Sequence, residues 1–177
     1  MYNIGIINYG AGNIASVMKS VDYAGGASQI VSTPEEVMKC DKIILPGVGA
    51  AGLAIKKLRE KSLESVLKEA VFEKGKHLMG ICVGMQILAK DLYEFGHHKG
   101  LNWVPGEVIP IEKYGIANKP VPNMGWRDVE FSNKMKDLSR RLGRHKTFYF
   151  AHSFTLVTDK NIVCCTSNYE KKFVAGI

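Results

Sequence analysis

A cysteine stands between two glycines in the stretch Gly80-Ile81-Cys82-Val83-Gly84. A short apolar run precedes this stretch and a helical pattern follows it, which is the arrangement of a nucleophile elbow. The flanking glycines would let neighbouring backbone pass close to the turn. A helix start favours thiolate, the reactive form of cysteine, and offers N–H groups to an oxyanion. The pattern predicts that Cys82 is a nucleophile, with a buried structural cysteine as the alternative.

A second glycine stretch, Pro46-Gly47-Val48-Gly49, closes another apolar run. If both runs are strands of one parallel sheet, their carboxyl ends lie at the edge where open α/β folds place their sites. The loop would then supply a second oxyanion donor beside Cys82. A plain turn before a helix and a weak phosphate loop are the alternatives. The Gly-Lys-Ser/Thr ending of a Walker A loop is missing.

Strands and helices alternate along the first half of the chain, which predicts a doubly wound, mostly parallel sheet with flanking helices. The predicted strands are Tyr2–Asn8, Ala27–Val31, Asp41–Leu45 and His77–Ile81. The predicted helices are Ile14–Ala24, one that begins at Pro34 with Thr33 as its N-cap, Ala51–Glu60, Leu63–Glu73 and Met85–Tyr93.

After Gly100 the pattern changes to short strands and turns with clustered prolines, which predicts an antiparallel β extension. The predicted strands there are Glu107–Pro110, Asp128–Phe131, Thr147–Ala151, Ile162–Thr166 and Phe173–Ile177. No Ser/Gly linker or repeat interrupts the chain, so we expect one α/β domain over residues 1–177.

The composition is that of a soluble globular protein, with 46% hydrophobic and 23% charged residues among 177. The sequence has neither an apolar run long enough to cross a bilayer nor a signal-peptide pattern. We therefore expect a cytoplasmic protein without a membrane partner.

The cysteines show no metal-ligand spacing, so we expect no metal and no other cofactor. They are Cys40, Cys82, Cys164 and Cys165. All but Cys82 are expected to pack as small apolar residues with free thiols, the vicinal pair in a strand.

The net charge is +7, and the densest basic stretch runs from Lys134 to Lys146. No aromatic residues interleave with these charges to stack on bases, so we expect a solvated helix and loop and no nucleic-acid partner. A docking face for an acidic protein is a further alternative.

Four other stretches accompany the cysteine motif, which extends to Gln86. They are Asn8-Tyr-Gly-Ala-Gly-Asn13, Leu45-Pro-Gly-Val-Gly-Ala50, Pro122-Asn-Met-Gly-Trp126 and Phe148-Tyr-Phe-Ala-His-Ser153. Together, in this order and over essentially the whole chain, they resemble the class I, triad-type glutamine amidotransferases. Within that class the set is similar to the glutaminase subunits of imidazole glycerol phosphate synthase.

The resemblance implies that Cys82 attacks the side-chain amide of L-glutamine, that ammonia leaves, and that water hydrolyses the thioester to glutamate. The residues that match the oxyanion hole are Gly47, Val48, Gly49 and Val83. Those that match the glutamine-binding positions are Gln86, Glu94, Ser153 and Phe154. A carboxylate suits the α-ammonium group of glutamine, although Glu94 could also be a loop charge and Gln86 a solvated helix residue.

The resemblance also implies a partner. Asn13, Met124 and Trp126 are similar to residues at the face that meets the cyclase subunit, a (βα)8 barrel to which the ammonia is passed. Ordinary core packing is an equal alternative for Trp126.

The family mechanism needs a histidine base oriented by a glutamate, in a C-terminal stretch that reads roughly Gln-Phe-His-Pro-Glu. No histidine of this sequence matches that position; the five are His77, His97, His98, His145 and His152. We therefore expect either a chain that lacks the C-terminal segment of a longer protein or a degenerate amidotransferase, and we favour the former.

Three positions depart from the family pattern: Asn123 replaces a usual histidine, Phe154 a tyrosine, and Ala51 an aromatic residue. These departures leave open whether the ammonia serves histidine biosynthesis or, as in some relatives, the amidination of surface sugars. A catalytically inactive docking subunit and a thiol hydrolase or chaperone of related fold are the competing hypotheses.

Overall fold

The computed structural model describes residues 2–143 and 146–177. Arg144 and His145, which belong to the predicted basic stretch, lie outside the described residues, as does Met1. The chain divides into two compact units, the first ending at Trp103 and the second beginning at Val104.

The first unit is built on a parallel four-stranded sheet of order β2-β1-β3-β4. Its strands are β1 (Asn3–Ile7), β2 (Ala27–Val31), β3 (Lys42–Gly47) and β4 (His77–Cys82). The helices of the unit are α1 (Ile14–Tyr23), α2 (Pro34–Lys39), α3 (Ala51–Glu60), α4 (Leu63–Lys68) and α5 (Val83–Gln86), and a π-helical turn over Glu69–Glu73 continues α4. A short antiparallel hairpin of β5 (Ala89–Leu92) and β6 (His98–Lys99) follows.

The core of the first unit draws mainly on aliphatic side chains of β1, β3, α3 and α4. Its largest fully buried members include Ile6, Ile7, Ile43, Leu45, Leu58, Leu63 and Leu67. Burying each such side chain contributes roughly 1.5–3 kcal/mol. These residues hold β3 at the centre of the sheet, and β3 in turn presents its carboxyl end beside that of β4.

Helix α2 begins as the sequence predicts. The Thr33 side chain accepts a hydrogen bond from the Glu36 N–H, and the Glu36 carboxylate accepts one from the Thr33 N–H in return. Pro34 occupies the first turn, where its missing N–H costs nothing.

The predicted helix Met85–Tyr93 is wrong. Helix α5 ends at Gln86, and Ala89–Leu92 form strand β5. The N–H of Leu101 donates to the Ile87 carbonyl at 2.8 Å. In a longer helix this carbonyl would accept from an N–H one turn further on, but here a segment that returns to it provides the donor. The first and last residues of β5 are buried and stand three positions apart, a spacing that resembles the core face of a helix.

The second unit is antiparallel, as predicted. One sheet has the order β12-β11-β8-β9, and β7 pairs separately with β10. The strands are β7 (Val104–Pro110), β8 (Asn123–Phe131), β9 (Thr147–His152), β10 (Phe154–Val157), β11 (Cys165–Tyr169) and β12 (Lys171–Gly176), and helix α6 spans Lys136–Leu142. A small core joins Ile111, Ile116, Tyr169 and Phe173.

The parallel sheet with helices and the antiparallel extension confirm the predicted α/β fold class; the single domain stays a prediction.

The strands predicted from the sequence do not include β10, and β11 begins later than predicted. A 3-10 turn over Lys160–Ile162 replaces the predicted start of β11, because the Asp159 side chain accepts a hydrogen bond from the Asn161 N–H at 2.8 Å and caps that turn. Cys164 therefore precedes the strand, and Cys165 begins it.

All four cysteines carry free thiols. Cys40 is buried, and Cys164 and Cys165 are half-buried. In the described part of the basic stretch, α6 buries none of its residues, as expected for a solvated helix. None of the helices in the described ranges is long and apolar enough to span a membrane.

Candidate active site

The turn around Cys82 has the geometry of a nucleophile elbow. Cys82 ends β4 with φ 54° and ψ −114°, a conformation that costs a residue with a side chain about 1–3 kcal/mol. A Cβ atom on Gly84 would lie 1.8 Å from the Leu45 carbonyl oxygen, and one on Gly80 would lie 2.8 Å from Gly84 backbone. Both glycines are therefore required by close backbone approach, as the sequence predicts.

The second glycine loop lies directly beside this elbow. Gly47 is the register partner of Cys82 in the β3–β4 ladder. A Cβ on Gly47 would approach the Gly84 nitrogen to 2.6 Å, and Gly49 has φ +83°, which favours glycine. Val83 is buried and Val48 is exposed. The structure thus brings the four predicted oxyanion-hole residues to one place around the cysteine.

The Cys82 thiol reaches solvent on one side. Burial by surrounding atoms nevertheless raises the pKa of the thiol above its ordinary value, while the N–H of Val83 lowers it and the charge of Glu94 raises it. The start of α5 therefore favours thiolate, as expected, but by less than burial opposes it. Helix α5 has only four residues, and its N–H contribution is smaller than the desolvation of the sulfur.

Tyr9 is a residue of this site that the sequence reasoning missed. Its ring is buried, and its hydroxyl donates a hydrogen bond of 2.8 Å to the Pro46 carbonyl, at the start of the glycine loop. Burial, and then the charge of Cys82, raises the pKa of the phenol to about 12. Two signals were available: Tyr9 directly follows an apolar strand, and it lies in the stretch Asn8–Asn13 that contributes to the family resemblance.

Glu94 lies on the loop between β5 and β6. Its Oε2 atom accepts a hydrogen bond of 2.7 Å from the N–H of Ala51, so the carboxylate caps the first turn of α3. Its charge also acts on the Cys82 thiol, which places the two predicted site residues together. The neighbouring Gln86 is buried on α5, so the alternative of a solvated helix residue is wrong.

A cavity of about 440 Å³ opens beside the elbow. Its lining includes Asn13, Pro46, Gly47, Met79, Ile81 and Cys82. Asn13 is also the N-cap of α1, accepting a hydrogen bond from the Ser16 N–H at 3.2 Å. The predicted partner residue Asn13 and the predicted nucleophile therefore face one cavity.

The Ser153–Phe154 backbone belongs to the second unit, where Ser153 follows β9 and Phe154 begins β10, and a side-chain relay holds it. His152 Nδ1 donates to the Phe154 carbonyl at 2.9 Å, which leaves Nε2 to accept from the Asn123 amide at 2.8 Å. The Asn123 oxygen accepts from Arg127 Nε at 2.6 Å. The relay fixes the neutral tautomer of His152 and thereby the carbonyl of Phe154.

The outer face of the β8–β9 ribbon is exposed and apolar. Trp126 is 70% exposed, so the core-packing alternative for this residue is wrong. Its ring meets Tyr149 edge-on at a centroid distance of 5.6 Å, and the two are register partners. Met124 and Ala151, the pair two positions away, stand on the same face and are exposed. We call these four residues the aromatic face.

The described histidines have other roles. His97 contacts the Asp91 carboxylate at 2.7 Å, His98 the Glu94 carbonyl at 3.1 Å, and His152 belongs to the relay. His77 begins β4 and is therefore about 16 Å from Cys82 along the strand. In residues 2–143 and 146–177 no histidine hydrogen-bonds to the Cys82 sulfur, and no group of three or more His, Cys, Asp or Glu residues is arranged to hold a metal.

Comparisons with known proteins agree with this geometry. Residues 10–108 match the SNO glutamine amidotransferase family. The chain is 42% identical over 154 residues to imidazole glycerol phosphate synthase subunit HisH of Chlorobium chlorochromatii, covering 87% of this chain and 74% of that protein. It is 37% identical over 174 residues to subunit HisH 1 of Campylobacter jejuni, covering 98% and 85%.

Solved structures share the fold. A glutamine amidotransferase crystal structure superposes with a TM-score of 0.67 at 17% identity, covering 95% of this chain and 85% of the other. The structure of PurLQS from Thermotoga maritima superposes with a TM-score of 0.61 at 17% identity, covering 96% and 76%.

The close contact at Gly84 predicts a large loss of stability. Gly84→Ala forces a methyl group onto the Leu45 carbonyl in the buried centre of the sheet, and we expect a loss of about 3 kcal/mol or more in the free energy of unfolding. Gly75→Ala is the control, since Gly75 has φ +67° but open space around it and should lose only about 1–2 kcal/mol. Urea denaturation measures both; equal losses would contradict the packing argument.

The relay predicts a pH dependence. The pKa of His152 lies below the usual 6.5, mainly because the ring is buried and also because Arg127 is positively charged. The hydrogen bond to the Phe154 carbonyl acts in the opposite direction and raises the pKa, but by less than burial lowers it. The unfolded chain therefore binds a proton that the folded chain refuses, and stability should fall as the pH drops below about 6.5. His152→Gln keeps a donor and an acceptor without titrating. The difference in unfolding free energy between wild type and variant should vary with pH in that window; a constant difference would refute this role.

Proposed function

The chain belongs to the SNO glutamine amidotransferase family, and from that premise we propose that Cys82 is the nucleophile of its glutaminase reaction. The protein is a glutamine amidotransferase that serves imidazole glycerol phosphate synthase in histidine biosynthesis. We place this reaction in the cytoplasm, where soluble biosynthetic enzymes draw on free glutamine.

One observation supports the nucleophile more than any other. Cys82 has a strained left-handed backbone conformation that persists because Gly84 lets the β3 backbone approach the turn and Gly80 lets the α5 backbone fold back over the end of β4. Strain of this kind in a residue with a side chain is concentrated at active sites. A structural cysteine would need neither the strain nor the glycine loop beside it.

The chemistry follows from the arrangement. The Cys82 thiolate attacks the side-chain amide carbon of glutamine, and the carbonyl oxygen becomes an oxyanion that the N–H groups of Val83 and of the Gly47–Gly49 loop stabilise. The amide nitrogen of this intermediate takes up the proton that the thiol lost, the C–N bond breaks, ammonia leaves, and the acyl carbon remains bound to sulfur as a thioester. Water then attacks the thioester through a second oxyanion, and glutamate leaves.

Glutamine is held from several sides in this proposal. Glu94 uses one oxygen to cap α3, and its other oxygen makes no hydrogen bond among the described residues, so it can accept one from the α-ammonium group. Gln86 serves the polar end of the substrate. The family resemblance also assigns glutamine binding to the Ser153–Phe154 backbone, in which the His152 relay fixes the Phe154 carbonyl.

The proton transfers set the working state of Cys82. Because burial raises the pKa of the thiol, most of the protein carries the protonated sulfur near pH 7. The attack needs a base, and no described histidine is in hydrogen-bonding contact with this sulfur. We expect glutamine hydrolysis to rise with pH until the thiolate dominates.

The aromatic face is the proposed docking surface for the cyclase subunit, which we propose is a (βα)8 barrel. Trp126 and Tyr149 present the residue types that dominate binding energy at interfaces. Met124 extends the same exposed surface. The predicted interface residue Asn13 reaches the cavity beside Cys82, where ammonia is released. The two proteins would form a heterodimer that passes ammonia between their sites.

The glutaminase proposal is tested by replacing the sulfur. Cys82→Ser should reduce glutamate formation from glutamine in the complex with the cyclase subunit by roughly 10⁴-fold or more, because the covalent step is lost. The control is Cys164→Ser, a half-buried free thiol outside the site. Hydrolysis that survives in Cys82→Ser at the wild-type rate would refute the nucleophile. A wild type without any glutaminase activity in this complex would favour the docking-subunit hypothesis.

Docking is tested separately. Trp126→Ala should weaken the affinity for the cyclase subunit by about 2 kcal/mol, the range of an aromatic anchor, as measured by isothermal titration calorimetry. Tyr23→Ala removes an aromatic side chain that is 96% exposed but belongs to α1 and not to the aromatic face, and it should leave the affinity unchanged. Equal affinities of the two variants would show that the aromatic face is not the interface.

A further inference from the structure

The loop Asn8–Asn13, between β1 and α1, is fixed against the active site by contacts that the proposed mechanism does not use. Lys57 of α3 donates a hydrogen bond to the Gly10 carbonyl at 2.7 Å, and Lys61, the C-cap residue of α3, donates one to the Asn8 carbonyl at 2.9 Å. A Cβ on Gly12 would lie 3.2 Å from the Pro46 ring, so the loop packs onto the start of the glycine loop.

Tyr9 is the residue of this loop that reaches furthest into the site. Its hydroxyl donates to the Pro46 carbonyl at 2.8 Å, in a buried position. The same oxygen lies 2.9 Å from where a Cβ on Gly47 would stand, so it touches the residue opposite Cys82 in the ladder. The phenol remains protonated at any working pH, because its pKa is about 12. It therefore acts here as a permanent hydrogen-bond donor.

The Pro46–Gly47 peptide bond links this contact to the oxyanion. The peptide group is planar, so a hydrogen bond that fixes the Pro46 carbonyl also fixes the Gly47 N–H, which points to the opposite side of the plane. We propose that Tyr9 is a positioning residue for the oxyanion hole, holding the Pro46–Gly47 peptide so that the glycine loop presents its N–H donors toward the carbon that Cys82 attacks. This inference rests on the proposed glutaminase function.

A purely structural role for the Tyr9 hydroxyl makes a different prediction. Loss of a support for the fold lowers stability but leaves the turnover of the folded enzyme unchanged. If the N–H donors of the glycine loop lose their orientation, the oxyanion is stabilised less. Because the oxyanion forms only after glutamine has bound and begun to react, kcat falls and KM stays unchanged.

The test is Tyr9→Phe, which keeps the buried ring and removes only the donor. In the complex with the cyclase subunit, kcat for glutamine hydrolysis should fall about tenfold, and KM should stay within about twofold of the wild-type value. Removing a whole oxyanion donor lowers kcat by about 10²–10³-fold, and a donor that is only misdirected should cost less. Tyr114→Phe is the matched control, because the Tyr114 hydroxyl also donates to a backbone carbonyl, that of Lys172 at 2.7 Å. Its kcat should equal that of the wild type.

Alkylation of Cys82 by iodoacetamide, followed by mass spectrometry, provides the second measurement. This displacement forms no oxyanion, so its rate should be the same in wild type and Tyr9→Phe. A wild-type kcat in Tyr9→Phe, or a loss of turnover matched by an equal loss of alkylation rate, would overturn the proposal while the glutaminase function stands. A Tyr9→Phe protein that is unfolded by circular dichroism would also overturn it. A wild-type protein without glutaminase activity would contradict both the proposed glutaminase function and the proposed role of Tyr9.

Discussion

The nucleophile turn depends on a backbone contact that admits no side chain. Leu45, at the buried centre of the sheet, presents its carbonyl to Gly84 at a separation that leaves no room for a methyl group. This contact brings the end of β3 against the start of α5, and it keeps Cys82 in a conformation that it would not adopt alone. The proposed oxyanion donors, the Tyr9 contact and the cavity all lie around this contact. Core packing of β1 and β3 therefore stabilises the chemistry as well as the fold.

Much of this arrangement follows from the sequence by physical reasoning. The alternation of β-branched runs with helical spacing predicts the parallel sheet, and parallel strands bring their carboxyl ends to one edge. The glycines around Cys82 predict the tight turn because no other residue permits such close backbone contact. The N-cap at Thr33 depends only on residues within the next turn, and it is found as predicted; the structure adds the capping box with Glu36.

The features that sequence reasoning predicted wrongly or missed have one physical cause in common. They depend on contacts between residues that are far apart in the sequence. Residues 89–92 have helical spacing, but a returning segment pairs with them and a strand results. Tyr9 lies in one of the motif stretches, but only the fold brings Pro46, 37 positions later, to its hydroxyl and so gives the residue a role. The relative weight of burial and helix charge on the Cys82 thiol also depends on packing that no local pattern encodes. In each case the tertiary environment prevails over local preference.

The aromatic face affects how the protein behaves in the cell before assembly. Trp126, Tyr149 and Met124 are exposed on one face of the β8–β9 ribbon. In the proposed assembly the cyclase subunit covers this face, and molecules made in excess of that subunit leave it open to nonspecific association. The proposal therefore links balanced synthesis of the two subunits to colloidal stability as well as to ammonia transfer.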